Sequence, residues 1–329
     1  MIKVGLIGLG YMGGTHAAAY GQLLQKLNFR VTAVADLDQS KADKTAAQFG
    51  AAAYYSGDEL LKRGDVNVVD ICLPTYLHYE YAEKAIGKGL HVFVEKPLCL
   101  NSDEAKKLTG YAKQKKVYAQ VGQCIRFWDE YEYLKKVYDN KEFGKVLHAK
   151  FRRLSPRPTW GWQNWLMDEK KSGGAMLDLH VHDADYMLYL FGKPKKMKAF
   201  PNVSGEKWSS VTACCDYGDF SVILEGSWDY PSSFPFEMSY IAAFERATVI
   251  FSSNHGVKVC PAGGEAYTPA IQKACAASSG VTGGNISDLG GYYNELYYFL
   301  DCLSKKKKPA RAPLSAGTEA VKFVEKEKK

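Results

Sequence analysis

The sequence predicts an α/β protein: an N-terminal doubly wound parallel sheet, then an α+β domain built on a largely antiparallel sheet. Three observations predict it. Short apolar, β-branched runs alternate with helical stretches over the first third of the chain. The segment Gly8-Leu9-Gly10-Tyr11-Met12-Gly13 directly follows the first of those runs. Beyond Gly122 the rhythm changes to β-rich runs broken by Gly, Pro and Asp turns.

The elements follow in order. Ile2 to Ile7 is a strand that stops at glycine, and a helical pattern runs from Gly13 to about Lys26. Arg30 to Ala35 is a strand ending at Asp36, followed by an alanine-rich helix from about Ser40 to Phe49. Asn67 to Leu73 is a third strand, ended by Pro74. Glu80 to Lys88 is a helix, His91 to Val94 a strand, Ser102 to Lys115 a helix and Val117 to Val121 a strand. These strands are apolar on both faces, as expected where helices cover both sides of a parallel sheet. The first domain is therefore set at 1–122 and the second at 123–329. In the second, Phe127 to Val137 and Ala175 to Leu190 read as helices and Val146 to Arg153 as a strand. Ser209 to Tyr217, Phe220 to Tyr230, Phe236 to Ala242 and Ala247 to Phe251 read as further strands. Ala262 to Gly291 reads as loop, and helices near Tyr292 to Leu303 and Ala316 to Lys326 follow, the last expected to pack back on the first domain.

Of the 329 residues, 46% are hydrophobic and 24% charged, a globular composition that excludes disordered and fibrous classes. The formal charge is +7, partly from Lys305 to Lys308 and from Lys326, Lys328 and Lys329. That reads as solvated basic surface rather than a nucleic-acid stripe. The eight cysteines include no C-x-x-C pair and fit reduced, mostly buried thiols. The chain opens on a strand without the pattern of a signal peptide, and no apolar run nears the roughly 20 residues of a membrane span. The expectation is a soluble cytoplasmic protein with no membrane or nucleic-acid partner.

The glycine loop matches G-x-G-x-x-G. The first glycine permits a tight turn, the second lets backbone approach a pyrophosphate, and the third lets the helix pack closely on the sheet. The helix N-terminus then offers N–H groups and partial positive charge to the phosphates. Asp36, with Leu37 beside it, stands at the end of the second strand, where a carboxylate accepts hydrogen bonds from both hydroxyls of an adenine ribose. It would repel a 2′-phosphate, so NAD is favoured over NADP.

Glu95-Lys96-Pro97 follows a strand of the same sheet, and Gly173-Gly174-Ala175-Met176-Leu177-Asp178-Leu179-His180-Val181-His182-Asp183 comes later. With the glycine loop, these resemble the glucose–fructose oxidoreductase / inositol dehydrogenase / rhizopine-catabolism (GFO/IDH/MocA) family over essentially the whole chain. Cys72-Leu73-Pro74-Thr75-Tyr76-Leu77-His78 resembles the family's loop beneath the nicotinamide ribose, and Gly144-Lys145-Val146 the entry to its second-domain sheet. The resemblance implies a Rossmann domain binding NAD through Gly8, Gly10, Tyr11, Met12, Gly13, Asp36, Leu37, Leu73, Pro74, Thr75, His78, Glu95, Lys96 and Gln123. It also implies homodimers or homotetramers. An alternating run of Val222, Leu224 and Trp228 against Glu225, Ser227 and Asp229 suits a sheet that pairs face to face.

The same residues make chemical sense by themselves. Oxidising a carbinol needs a base for the hydroxyl proton and a donor or cation for the developing alkoxide. Asp178 and His182, four apart, share one helix face. Lys96 stands at the carboxyl end of a strand, where open α/β sheets bind ligands. The resemblance implies His182 as general base, Lys96 polarising the hydroxyl and relaying its proton, and Asp178 orienting the substrate, with either Lys96 or His182 taking the proton directly. The alternative for Asp178 and His182 is a pair that stabilises the core. The catalytic reading requires Lys96 and His182 to converge on one alcohol. Substrate contacts are expected from Lys96, Arg153, Trp165, Asp178, His180 and His182.

A metal at Asp178, His180, His182 and Asp183 is not expected, because positions i and i+2 of a helix lie roughly 200° apart. His180 stands where many family members have glycine, and either reaches the substrate pocket or caps nearby backbone. Ile125 replaces the first of two arginines usual in inositol dehydrogenases, which weakens inositol as the substrate. Gln123 is expected at the nicotinamide and Arg126 at the domain junction. Trp160, Trp162 and Trp165 suit sugar stacking or local core, and Arg157 a substrate anion or plain surface. The function that emerges is NAD-dependent oxidation of a secondary hydroxyl on a sugar, cyclitol or glycoside. The alternatives are an NAD-dependent glycosidase acting through transient oxidation and elimination, and a nucleotide- or sugar-sensing regulator without catalysis.

Overall fold

A computed structural model describes residues 1–63, 65–204, 207–273 and 289–329. The first elements are β1 (Ile2–Ile7), α1 (Tyr11–Leu23), β2 (Phe29–Ala35), α2 (Gln39–Phe49), β3 (Ala52–Tyr54) and α3 (Gly57–Lys62). They continue with β4 (Val68–Ile71), α4 (Thr75–Gly87), β5 (His91–Glu95), α5 (Ser102–Gln114) and β6 (Ala119–Gly122). The six strands form one parallel sheet in the order β3-β2-β1-β4-β5-β6, the doubly wound arrangement whose connections reverse between β1 and β4. Local chemistry sets the helix ends. Asp38 accepts from the Ser40 and Lys41 N–H groups at the start of α2, and Gly50 ends it in the left-handed region. Asn101 caps α5 through the Glu104 N–H.

The second set comprises α6 (Asp129–Asp139), β7 (Val146–Pro156), α7 (Glu169–Ser172), α8 (Val181–Phe191), β8 (Lys196–Ser204), β9 (Lys207–Asp216), β10 (Ser221–Tyr230), β11 (Glu237–Phe244), β12 (Ala247–Ser252) and β13 (Gly256–Pro261). Its seven-stranded sheet runs β13-β12-β11-β7-β10-β9-β8. All neighbours are antiparallel except β7 and β10. A π-helical turn, Met176–His180, precedes α8, so the expected helix from Ala175 begins with wider winding. That turn packs on β10 and β9, and α8 packs on β7. Tyr131, Phe151, Tyr186 and Tyr240 fill the interior with edge-on and tilted ring contacts. Across the sheet, Ile223 and Ile241 both pair with Lys150, one from each side, and both are exposed.

Two helices follow, α9 (Gly290–Ser304) and α10 (Leu314–Glu327). The division of the chain corrects the expected boundary. One unit comprises Met1–Cys124 and Cys275–Val321, the other Ile125–Ala274 and Lys322–Lys329. The reason is burial. Leu296, Phe299, Leu300 and Leu303 of α9 join the core made by β1, α1 and β2, and α9 packs along α1. The expected loop at Ala262 to Gly291 lies partly outside the described residues. Cys72, Cys99, Cys124, Cys215 and Cys302 are buried and Cys214 is exposed, and none of them forms a disulfide. Among the described residues no helix is long and apolar enough to cross a membrane.

Candidate active site

Gly8 turns the chain out of β1 with φ +87°. A Cβ on Gly13 would lie 1.8 Å from the Gly8 carbonyl oxygen, so only glycine lets α1 begin this close to the turn. Gly10 differs: a Cβ there would meet nothing within 4 Å. Gly10 is also the N-cap of α1, where among the described residues no side chain caps the helix and no acid occupies its first turn. The helix start thus presents N–H groups and positive dipole with no acid in its own first turn. Tyr11 and Met12, half-buried, open that first turn.

Asp36 follows β2 and is half-buried. Its Oδ2 accepts from the Leu9 N–H at 2.6 Å and its Oδ1 from the Asp38 N–H at 2.8 Å. The carboxylate is fixed against the glycine loop, and each oxygen keeps a further lone pair for a ligand. Leu37 beside it is 70% exposed. Gln123 is buried, and neither polar atom of its amide has a hydrogen-bond partner among the described residues. Open space at Gly10, a fixed carboxylate and an orphaned buried amide together fit a dinucleotide.

Leu73 and Pro74 are half-buried after β4, and Thr75 is buried in the first turn of α4. His78, expected at the cofactor, is engaged by backbone on both sides of its ring. It is buried, with Nε2 2.7 Å from the Leu73 carbonyl oxygen and Nδ1 2.7 Å from that of Pro97. It braces the two loops against each other. Burial lowers its imidazole below the ordinary range, against a raising influence from the two carbonyls. Glu95 ends β5, and its Oε2 accepts from the Lys96 N–H at 3.1 Å. Lys96 is half-buried at the carboxyl end of that strand.

The sequence reading missed a buried cluster next to Glu95. His16 lies 3.1 Å from Glu95 Oε1 through Nε2 and 2.8 Å from Asp70 Oδ2 through Nδ1. The Tyr20 hydroxyl donates to the same Asp70 oxygen. Glu295 of α9 is fully buried, and neither carboxyl oxygen has a hydrogen-bond partner among the described residues. The signal was present: Asp70 interrupts the apolar run of β4, and a buried charge demands a partner.

In the second unit, Asp178 is half-buried in the π-helical turn, and His182, 8% exposed, lies in the first turn of α8. Two residues expected to touch substrate are engaged inside the protein. His180 is fully buried, with Nε2 3.0 Å from both Glu327 carboxylate oxygens. Arg153 is buried too, and grips Asp183 through Nε at 2.9 Å and Nη2 at 3.3 Å. Arg126 holds Asp185 of α8 with two contacts of 2.7 Å. Trp165 is half-buried, while Trp160 and Trp162 are about half exposed, which removes them from a local core. Arg157 pairs with Asp229 at the surface. Among the described residues, the groups close enough to share a metal ion are His16, Asp70 and Cys72, and His16, Glu95 and Glu295. Neither includes the helix residues considered for a metal.

Residues 2–123 match the description "Oxidoreductase family, NAD-binding Rossmann fold" and residues 131–250 match "GFO/IDH/MocA C-terminal domain". Glucose-6-phosphate 3-dehydrogenase of Bacillus subtilis is 31% identical over 195 residues, 58% of this chain and 54% of that protein. UDP-N-acetylglucosamine 3-dehydrogenase of Acidithiobacillus ferrooxidans is 29% identical over 191 residues, 58% of this chain and 55% of that protein. The chain spans about half the length of the curated relatives it matches. The solved levoglucosan dehydrogenase, in complex with NADH and levoglucosan, shares the fold with a TM-score of 0.81 over 98% of this chain and 95% of that one, at 19% identity.

Proposed function

The chain belongs to the GFO/IDH/MocA oxidoreductase family, and from that premise we propose that it is an NAD-dependent dehydrogenase of a secondary hydroxyl on a sugar, cyclitol or glycoside. The observation that supports this most is Lys96 at the carboxyl end of β5, in the same parallel sheet as the glycine loop. Gly8, Gly10 and Gly13 would admit the pyrophosphate of NAD, Asp36 its adenine ribose, and Gln123 its nicotinamide side. When bound, NAD supplies a hydride acceptor.

The remaining chemistry falls to the side chains of this chain. His182 takes the hydroxyl proton as general base. Lys96 polarises the hydroxyl oxygen through its ammonium and relays the proton. Asp178 orients the substrate by accepting from its hydroxyls. Each role draws on a group whose charge suits it, an imidazole for the proton and a cation for the alkoxide. Exposed Trp160 and Trp162, with Trp165, offer flat apolar faces of the kind on which sugar C–H groups stack. We further read the protein as cytoplasmic, and as a homodimer or homotetramer formed through the open face of the second sheet around Ile223 and Ile241. Light scattering that finds a monomer at working concentration overturns that assembly.

The test is a library of sugars and polyols offered with NAD, followed by NADH absorbance. Net NADH with at least one member supports the dehydrogenase. Substrate conversion without net NADH points instead to the glycosidase that returns its hydride. Lys96→Ala is expected to abolish turnover while NAD binding stays measurable, and normal turnover in that variant rejects the catalytic assignment.

A further inference from the structure

We infer that Glu327 and His180 form a clamp that positions Asp178 and His182; this rests on the reading of those two residues as catalytic. His180 closes the π-helical turn Met176–His180, exactly two residues after Asp178 and two before His182. An i→i+5 turn is rarer and less regular than an α-helix and recurs at functional sites, so its geometry has to be held from outside. The handle is the imidazole. It is fully buried, and its Nε2 lies 3.0 Å from both oxygens of Glu327, which is itself 1% exposed. Glu327 ends α10, so the turn is tied to an element distant in sequence.

The surroundings are shaped for this contact. On β10, a Cβ at Gly226 would come within 2.7 Å of the His180 Cβ, so a glycine there is what admits the ring against the strand. The charged groups facing His180 are Glu327 from α10, Asp183 from α8 and Arg153 from β7. Arg153 is engaged by Asp183 at 2.9 Å. Burial alone lowers the imidazole's proton affinity, yet Glu327 more than compensates and raises it above the ordinary value. The clamp is therefore a hydrogen bond from the Nε2–H, bifurcated over both Glu327 oxygens and charge-assisted by the carboxylate. Ion pairs of α8 with its neighbours continue along the helix, with Asp183 on Arg153 and Asp185 on Arg126. His180 and Glu327 are positioning residues, with no part in the reaction itself.

The test reads the turn and the chemistry separately. In Glu327→Ala, hydrogen exchange of the 176–182 amides is expected to quicken about tenfold, with exchange in residues 2–35 unchanged. The same variant is expected to lose about 100-fold in kcat with unchanged NAD affinity and substrate KM, the scale of a small misplacement of catalytic groups. Glu327→Gln keeps an oxygen to accept from the Nε2–H and is expected to restore slow exchange and kcat to within about threefold. Glu327→Asp, which withdraws the carboxylate by one methylene, serves if Glu327→Ala does not fold, with an expected kcat loss of about tenfold. Unchanged exchange over 176–182 in the folded alanine or aspartate variant overturns the clamp, as does wild-type kcat. A wild-type protein that oxidises no carbinol, but whose 176–182 exchange still responds to Glu327, defeats the dehydrogenase reading and leaves the clamp standing as a structural device.

Discussion

His16 on α1 and Asp70 on β4 form a fully buried ion pair, Nδ1 to Oδ2 at 2.8 Å. Burial by itself lowers the imidazole's proton affinity, but Asp70 outweighs it and holds His16 well above its ordinary 6.5. A group raised in the folded state contributes stability that is whole below the unfolded value and fades as pH climbs through the folded one. Asp70→Asn removes the nearer of the two carboxylates on the cation, leaving Glu95 at 3.1 Å from Nε2, and is expected to cost about 1.5–3 kcal/mol near neutral pH. The gap between wild type and variant should narrow as the medium becomes alkaline. Urea unfolding across a pH series measures it, and a gap that widens above neutrality rejects the pair as drawn.

Gly10 and Gly13 separate folding from binding. Gly13→Ala must push a methyl group against the Gly8 carbonyl oxygen, 1.8 Å away, and is expected to destabilise by at least about 3 kcal/mol. Gly10→Ala meets open space and is expected to leave stability within about 0.5 kcal/mol. If that space receives the pyrophosphate, the same variant loses at least about tenfold in NAD affinity, the equivalent of 1.4 kcal/mol. Thermal melts paired with NAD titration decide it. Undiminished affinity in Gly10→Ala removes the glycine loop from the binding site.

The parallel sheet was legible because its information is local. Gly8 to Gly13, Asp36 and Lys96 each sit at a strand end, where short-range patterning fixes position. Leu296, Phe299, Leu300 and Leu303 were equally visible as an apolar helix face, but nothing in such a face says which sheet it will cover, so the return of α9 to the first unit was not readable. The same holds for His180 and Arg153. Both are polar residues in a functional stretch, and both are claimed by partners far along the chain, Glu327 at a separation of 147 residues and Asp183 at 30. A short helix at Gly57–Lys62 was passed over despite its start signal. Ser56 accepts from the Glu59 N–H and Glu59 reaches back to the Tyr55 N–H, close to a capping box.

Asp36 bears on cofactor choice. Its two oxygens already hold the Leu9 and Asp38 N–H groups, so its negative charge is fixed in place and cannot swing away from a 2′-phosphate. Asp36→Asn keeps the size and one acceptor oxygen but removes the charge. NAD affinity is expected to fall about tenfold or more, with NADP affinity rising relative to it. Competitive titration of the two nucleotides gives the ratio. An unchanged ratio means that the carboxylate only shapes the loop.

Glu295 supplies the last expectation. Burial, and then the charge of Glu95, raises its carboxyl well above the ordinary 4.5, so the folded protein keeps it protonated where the unfolded chain has released the proton. Its contribution is whole below 4.5 and is lost progressively as pH rises toward the folded value. Glu295→Gln imitates the neutral acid and has no proton to lose. Its stability relative to wild type should therefore grow steadily above pH 4.5 and level off only past the folded value. An infrared carbonyl band of a protonated carboxyl that persists above pH 4.5, absent in the glutamine variant, reports the same state directly. A stability difference that stays flat with pH, with no such band, would mean that Glu295 is ionised, and one equivalent of metal found with the protein would name the cation that balances it.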